Sequence, residues 1–228
     1  TLLAVYATSM NFTILEISIV TFLLAVSGAI AQFPIGKISD MYDRRKVIVF
    51  STFSAAIFAI FAILVSRQMY LPGSLATSKT WFYIFFILFS FCSLPMFSLI
   101  LAHTNDYISK DKFVAAGAGL QFAFGLGAMS GPFLCSIFMD LVGSNGFFIF
   151  LFFFHCIIGF FGIYRMKVRQ SVDNPDSQFV AMPQTITPAG IELNPTTEHI
   201  EEPYSDKVKE ILERKGVKYK KEEDEMKA

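Results

Sequence analysis

Long apolar runs separated by short polar segments make up this chain as far as residue 166. Four runs cover residues 14–35, 47–66, 81–102 and 147–164, and a fifth, residues 113–139, is rich in glycine but contains no charged residue. Each run is at or near the roughly 20 residues with which a helix crosses about 30 Å of hydrocarbon. The runs are apolar on all sides and lack a period-two alternation, which favours membrane-spanning helices over the strands of a barrel.

The first ten residues resemble the end of one more helix. Residues 1–10 are largely apolar and carry neither an initiating methionine nor the basic start of a signal peptide. We therefore expect a sixth helix whose first part precedes Thr1. The pattern predicts an all-α, polytopic transmembrane bundle over residues 1–166, in which the first of six helices is truncated.

The remaining residues, 167–228, have a different composition. Residues 173–203 are rich in Pro, Thr, Asn and Ser, and such a segment cannot bury an apolar core, so we expect a mostly disordered tail. Three apolar residues at helical spacing precede Gly216 and predict a short helix near residues 206–215. This helix either docks on another protein surface or is a marginal, isolated helix.

Lysine and arginine fall mostly on one side of the predicted bundle. That side carries Lys37, Arg44, Arg45, Lys46, Lys110, Lys112, Arg165, Lys167 and Arg169. The opposite side carries only Arg67 and Lys79. Because cytoplasmic loops of membrane proteins are enriched in these residues, we expect the first side, and the tail with it, to be cytoplasmic.

Composition argues against several classes of function. The chain is 54% hydrophobic and has a formal net charge of zero, which excludes a basic nucleic-acid-binding protein. Its three cysteines, Cys92, Cys135 and Cys156, lie in apolar runs and are expected to be packing residues. The three histidines are dispersed, and no phosphate loop or catalytic motif occurs. We expect neither an enzyme nor a site for a metal or cofactor.

One charged segment, residues 36–46 (GKISDMYDRRK), separates the first two complete runs. It resembles the loop signature of the major facilitator superfamily, G-x-L-x-D-[RK]-x-G-[RK]-[RK], with Met41 in place of a base and an aspartate in place of the glycine. The resemblance implies a conformational gating loop formed by Gly36, Asp40, Asp43, Arg44 and Arg45. The alternative is an ordinary basic loop on the cytoplasmic side.

Two further segments narrow the resemblance. The chain is similar to the C-terminal half of a bacterial branch of this superfamily, often called YcaD-like. The similarity is carried by residues 93–132 and by the tail segment FVAMPQTITPAGIELNP (residues 179–195). Twelve helices in two six-helix halves are then implied, with this chain supplying the second half and its tail. The missing N-terminal half would belong to the same or to a separate chain.

The resemblance implies a secondary active transporter in the bacterial inner membrane. It would move a small solute across the lipid bilayer by alternating access, and the solute site would lie between the two halves. The alternative is a non-transporting remnant of a carrier that acts as a membrane-anchored interaction protein. No cofactor and no nucleic acid is implied.

Three further sets of residues are candidates for a role in transport. Gly127, Gly131 and Pro132 would allow close packing and bending of a helix near the interface between halves, or simply tight packing within one half. His103, Asn105 and Asp106 would form a cytoplasmic gate or, alternatively, cap a helix end. Gln32, Gln121 and His155 are the polar residues that could line a substrate path, although each could equally bond a neighbouring helix.

Overall fold

A computed structural model describes residues 2–68, 75–108, 112–169, 179 and 181–182. Within these ranges the chain forms seven α-helices and no β-strand: α1 (Leu2–Ser9), α2 (Ile14–Met41), α3 (Arg44–Gln68), α4 (Leu75–Ser93), α5 (Met96–Asn105), α6 (Phe113–Val142) and α7 (Gly146–Val168). The predicted all-α class is confirmed. The short helix expected near residues 206–215 lies outside the described residues.

Within the described residues, five stretches are long and apolar enough to cross a membrane: Ile14–Met41, Arg44–Arg67, Ser78–Asn105, Phe113–Val142 and Gly146–Val168. Each of the five predicted runs lies within one of them. The protein is therefore an integral membrane protein built as a polytopic helix bundle. We name its two ends after the carboxylates of α2, the Glu16 end and the Asp40 end.

The third of these stretches consists of two helices instead of the single helix expected over residues 81–102. Helix α4 ends at Ser93 and α5 begins at Met96, with Leu94 and Pro95 between them. Proline has no N–H to donate and disfavours a helical conformation in the residue before it, which accounts for the break. The Leu94 side chain fills the space that a Cβ atom on Gly28 of α2 would need. The break therefore lies where α2 and α4 approach closely.

Helix α3 lies at the centre of the packing, with α4 and α7 as its main neighbours. An aromatic core fills the Glu16 end: the ring of Tyr6 meets the edge of Phe148 at 5.1 Å, and Phe82 stacks on Phe86 at 5.8 Å. Tyr6, Phe82 and Phe148 are almost completely buried. Because Tyr6 belongs to α1 and its ring is buried among rings of α4 and α7, this core holds α1 against the long helices.

Polar contacts fix the start of α2. Thr13 and Glu16 form a capping box, in which the Glu16 N–H donates to Thr13 Oγ1 (3.3 Å) and the Thr13 N–H donates to Glu16 Oε2 (2.7 Å). Glu16 Oε1 also pairs with Lys79 Nζ of α4 at 2.8 Å. The first turn of α2 is thereby joined to α4.

Helix α6 is the least covered of the long helices. Among the described residues only Phe113, Gly117 and Cys135 of this helix are buried. Large apolar side chains face outwards along it, including Phe122 (70% exposed) and Met129 (78% exposed). Most of the surface of α6 is thus left for lipid or for another protein segment to cover.

Candidate functional site

The charged segment between α2 and α3 is almost entirely helical. Only Tyr42 and Asp43 lie between the two helices. Asp43 starts α3, because its Oδ1 accepts a hydrogen bond from the Arg45 N–H (3.0 Å) and its backbone carbonyl accepts one from the Lys46 N–H (2.8 Å). The capping position at the start of α3 therefore belongs to Asp43.

Asp40, Arg44 and Asp106 form an ionic cluster, which we call the Asp40 cluster. Arg44 Nη2 donates to Asp40 Oδ1 at 2.9 Å, and Arg44 Nη1 lies 3.6 Å from Asp106 Oδ1. The side chains are 7% (Arg44), 12% (Asp106) and 34% (Asp40) exposed. One buried guanidinium is therefore compensated by carboxylates from α2 and from the end of α5, and the cluster joins three helices.

Two residues beyond α7 contact this end of the bundle. The Phe179 N–H donates to Asp40 Oδ1 (2.8 Å), and its ring fills the space that a Cβ atom on Gly36 would need. Ser98 Oγ donates to the Met182 carbonyl (2.9 Å) and accepts from the Met182 N–H (3.1 Å). Gly36 thus allows the close approach of an aromatic ring.

Sequence reasoning did not assign Phe179, Met182 or Ser98 to the site. The one signal was the short apolar group FVAM, residues 179–182, within an otherwise polar tail. Apolar side chains in such a tail are stabilised where they are buried against another surface, and here Met182 is 7% exposed. The contact was not predictable from spacing, since the hydrogen-bonded residues are 84 and 139 positions apart.

Arg45 forms a second ion pair beside the Asp40 cluster. Its Nη2 and Nε donate to Asp43 Oδ2 (2.8 Å) and Oδ1 (3.1 Å), a two-point contact that suits the planar guanidinium. Its Nη1 donates to the Arg169 carbonyl at 2.7 Å. Arg45 therefore links the start of α3 to the end of α7.

The three candidates at the end of α5 have separate surroundings. The His103 ring meets the edge of the Tyr107 ring at 5.0 Å, while Asp106 belongs to the Asp40 cluster. Asn105 is 8% exposed, and its Oδ1 has no hydrogen-bond partner among the described residues. Within the same ranges, no group of three or more His, Cys, Asp or Glu residues is arranged to hold a metal ion.

The substrate-path candidates are not brought together by the described part of the fold. His155 of α7 lies against α4, with Nε2 2.9 Å from Ser93 Oγ and Nδ1 2.7 Å from the Leu151 carbonyl. Since a carbonyl only accepts, Nδ1 carries a proton, and Nε2 accepts from Ser93 when the ring is neutral. Gln32 is half-buried on α2, and Gln121 is half-buried on α6 with its Oε1 unpartnered among the described residues.

Gly127, Gly131 and Pro132 lie on the uncovered part of α6. A Cβ atom on Gly127 or on Gly131 would meet no atom within 4 Å. The helix continues through Pro132 without a break. The two glycines therefore present open backbone surface, and the described part of the chain does not supply a helix that packs against it.

Five stretches able to span a membrane and an ionic cluster at one end of the bundle, all within the described residues, define a polytopic membrane protein, and comparison with known proteins gives its family. The family model described as Major Facilitator Superfamily matches residues 1–210. The chain belongs to the Major Facilitator Superfamily, which is a family of transporters and not of enzymes.

Curated relatives agree with this family. An uncharacterized MFS-type transporter of Yersinia enterocolitica is 26% identical over 160 residues, which cover 70% of this chain and 37% of the relative. An uncharacterized MFS-type transporter of Yersinia pestis is 24% identical over the same shares of the two chains. This chain thus spans little more than a third of the length of the curated relatives it matches. No solved structure shows significant similarity to it.

Proposed function

We propose that this chain forms the second six-helix half of a secondary active transporter of the YcaD-like branch, which moves a small solute by alternating access. The first half belongs to the same or to a separate chain. The five spans, the additional helix α1 and the 37% coverage of the relatives support a half-sized unit. The uncovered face of α6, which carries Gly127 and Gly131, is the proposed contact with the other half.

The Asp40 cluster is the observation that carries this proposal. A buried arginine shared by two carboxylates from different helices is stable only while the helix ends stay together, because separation leaves a buried charge uncompensated. Such a cluster stabilises one of two conformations of a carrier. We propose that it holds the Asp40 end closed, on the cytoplasmic side of a bacterial inner membrane, and opens when the solute is released there.

The experiment compares Asp40→Asn with the unchanged full-length protein. Gln32 is replaced by cysteine, in a background without Cys92, Cys135 and Cys156, to report access from the Asp40 end by labelling with a membrane-impermeant reagent. Loss of one ionic contact changes the ratio of two conformations about fivefold for each ~1 kcal/mol. We therefore expect faster labelling from the Asp40 side and slower solute exchange.

Asp43→Asn is the matched control. Asp43 pairs with Arg45, its neighbour but one in sequence, and caps α3, so its loss should change accessibility less than the loss of Asp40. Equal labelling of the unchanged protein and the Asp40→Asn variant from both sides would remove the gating role from this proposal.

The length of the natural coding frame upstream of Thr1 tests the assignment to one half. A frame that encodes six further helices with a second G-x-L-x-D loop supports a twelve-helix carrier in one chain. A product that begins near Thr1 favours an assembly from separate halves or a non-transporting remnant. Intact-protein mass spectrometry after extraction from the membrane distinguishes the two products.

A further inference from the structure

We propose that a cleft between α3, α5 and α7 binds the phosphate group of an anionic phospholipid. The cleft has a volume of about 230 Å³, and its lining includes three arginines, Arg45, Arg165 and Arg169, together with His103 and Tyr107. It lies at the Asp40 end of the bundle. The proposal concerns a lipid site and is independent of whether the protein transports a solute.

Positive charge in this cleft exceeds negative charge. Asp43 is the carboxylate that contacts Arg45, and it is occupied by that contact at 2.8 Å. Among the described residues, neither Arg165 nor Arg169 is ion-paired with a carboxylate. Two cations that face the same cleft repel each other, so an anion between them is stabilised by both.

Contacts of Arg45 and Arg169 hold the cleft in shape. The Arg169 carbonyl accepts a hydrogen bond from Arg45 Nη1 at 2.7 Å, and the Arg169 guanidinium lies over the Tyr107 ring, 4.2 Å from the ring centre. An arginine fixed in this way loses less freedom when it binds. Its planar fork of N–H groups matches two oxygens of a phosphate.

The surface of α7 indicates a lipid as the source of that phosphate. Ile158, Phe161 and Arg165 follow one another at spacings of three and four residues, so they lie along one side of α7, and Arg169 directly follows the end of this helix. Phe161 is 61% exposed and Ile158 is 40% exposed. Acyl chains can pack on this apolar surface while the headgroup reaches the arginines. A soluble phosphate ester would use the charges but not the apolar surface.

Native mass spectrometry of the full-length protein in detergent tests the proposal. The protein is titrated with phosphatidylglycerol, which is anionic, and in parallel with phosphatidylcholine, which is zwitterionic. We expect tighter binding of phosphatidylglycerol, and roughly tenfold weaker binding after the double change Arg165→Gln and Arg169→Gln. Arg165→Gln alone serves as a second variant that preserves folding, since the Arg165 side chain makes no hydrogen bond or ion pair within the described residues, and the backbone carbonyl that accepts from the Arg169 N–H is unchanged by the substitution.

Lys167→Gln is the matched control, because Lys167 is an exposed cation at the same end of α7 that does not line the cleft. Its change should leave phosphatidylglycerol affinity within about twofold of the unchanged protein. The proposal is overturned if the Lys167 and arginine variants lose the same amount of phosphatidylglycerol affinity, or if the unchanged protein binds the two lipids with equal affinity.

Inorganic phosphate is then added as a competitor. Failure to displace phosphatidylglycerol supports the lipid as ligand, and complete displacement by phosphate alone assigns the cleft to a soluble anion and overturns the lipid assignment.

Discussion

The backbone N–H of Phe179 donates a 2.8 Å hydrogen bond to Asp40 Oδ1, the same oxygen that accepts a hydrogen bond from Arg44. One carboxylate oxygen therefore joins α2, α3 and a residue beyond α7. Any movement that separates α2 from α3 at this end has to change the surroundings of Phe179 as well. Conversely, displacement of Phe179 leaves Asp40 with one partner fewer.

Replacement of Gly36 tests this relationship directly. Gly36→Val places a side chain where the Phe179 ring lies, so we expect displacement of the ring and loss of the hydrogen bond to Asp40. Hydrogen–deuterium exchange of the peptide that contains Phe179 and Met182 should become faster by about a factor of ten. Gly119→Val is the control, because a Cβ atom at Gly119 meets no atom within 4 Å. Unchanged exchange in the Gly36 variant would contradict the contact.

Replacement of Asp106 tests the energetic weight of the Asp40 cluster. Asp106→Asn leaves the buried Arg44 with Asp40 as its remaining carboxylate in the cluster. Because an incompletely compensated buried charge is costly, we expect the free energy of unfolding to fall by about 1–3 kcal/mol. Denaturant titration of the protein in detergent micelles measures the change.

Asp140→Asn is the control for that experiment, since Asp140 is exposed on α6 and no described residue forms a salt bridge with it. Its change should alter the free energy of unfolding by less than about 0.5 kcal/mol. Equal effects of the two substitutions would mean that Asp106 contributes no more than a surface charge.

Ser93 and His155 give a prediction about stability within the membrane-spanning part. Ser93→Ala removes the hydroxyl that lies 2.9 Å from His155 Nε2 and leaves this nitrogen without its partner. We expect a loss of about 1 kcal/mol in the free energy of unfolding, because a half-buried polar atom loses its hydrogen bond. Thermal unfolding followed by tryptophan fluorescence or circular dichroism measures it. If solute exchange falls while stability stays unchanged, His155 belongs to the substrate path and not to the internal packing.

Substitutions at Gly127 and Gly131 of α6 test whether this surface contacts lipid or another protein segment. Gly127→Leu and Gly131→Leu add side chains where the described residues leave open space. If this surface packs against the other half of the carrier, the substitutions should weaken assembly of the full-length protein, measured by cross-linking or by co-purification of separately expressed halves. Unimpaired assembly would assign the surface to lipid. Met129→Leu, an exposed apolar exchange on the same helix, serves as the control.

The sequence predicts the long helices well, because a helix that crosses hydrocarbon needs an uninterrupted apolar run. The residues at which these helices begin and end are less predictable. The segment around Asp40 looks like a charged loop, yet α2 extends to Met41 and α3 begins at Arg44. Asp40 and Arg44 pair at helical spacing and Asp43 caps the next helix, so the same charges that indicate a loop in the sequence extend the helices in the structure.

Contacts between distant residues account for what the sequence leaves out. Nothing in residues 36–46 specifies that Arg44 meets Asp106, or that Ser98 bonds to Met182, because those pairings depend on how α5 lies against α2 and α3. The break between α4 and α5 at Pro95 also depends in part on contacts between distant residues, such as that of Leu94 with Gly28. A proline inside an apolar run permits either a bend or a break, and Pro34 and Pro132 lie within unbroken helices.

The order in which Asp40 acquires its partners has a consequence for the synthesis and membrane insertion of the protein. The bond to Arg44 joins residues four positions apart and can form as soon as the hairpin of α2 and α3 enters the membrane. The charge of Asp106 arrives only with α5, and the amide of Phe179 emerges 139 residues after Asp40. The contact of Phe179 with Asp40 therefore forms only after α2 to α7 have been synthesised, and a nascent chain released before residue 179 would insert these helices without making that contact.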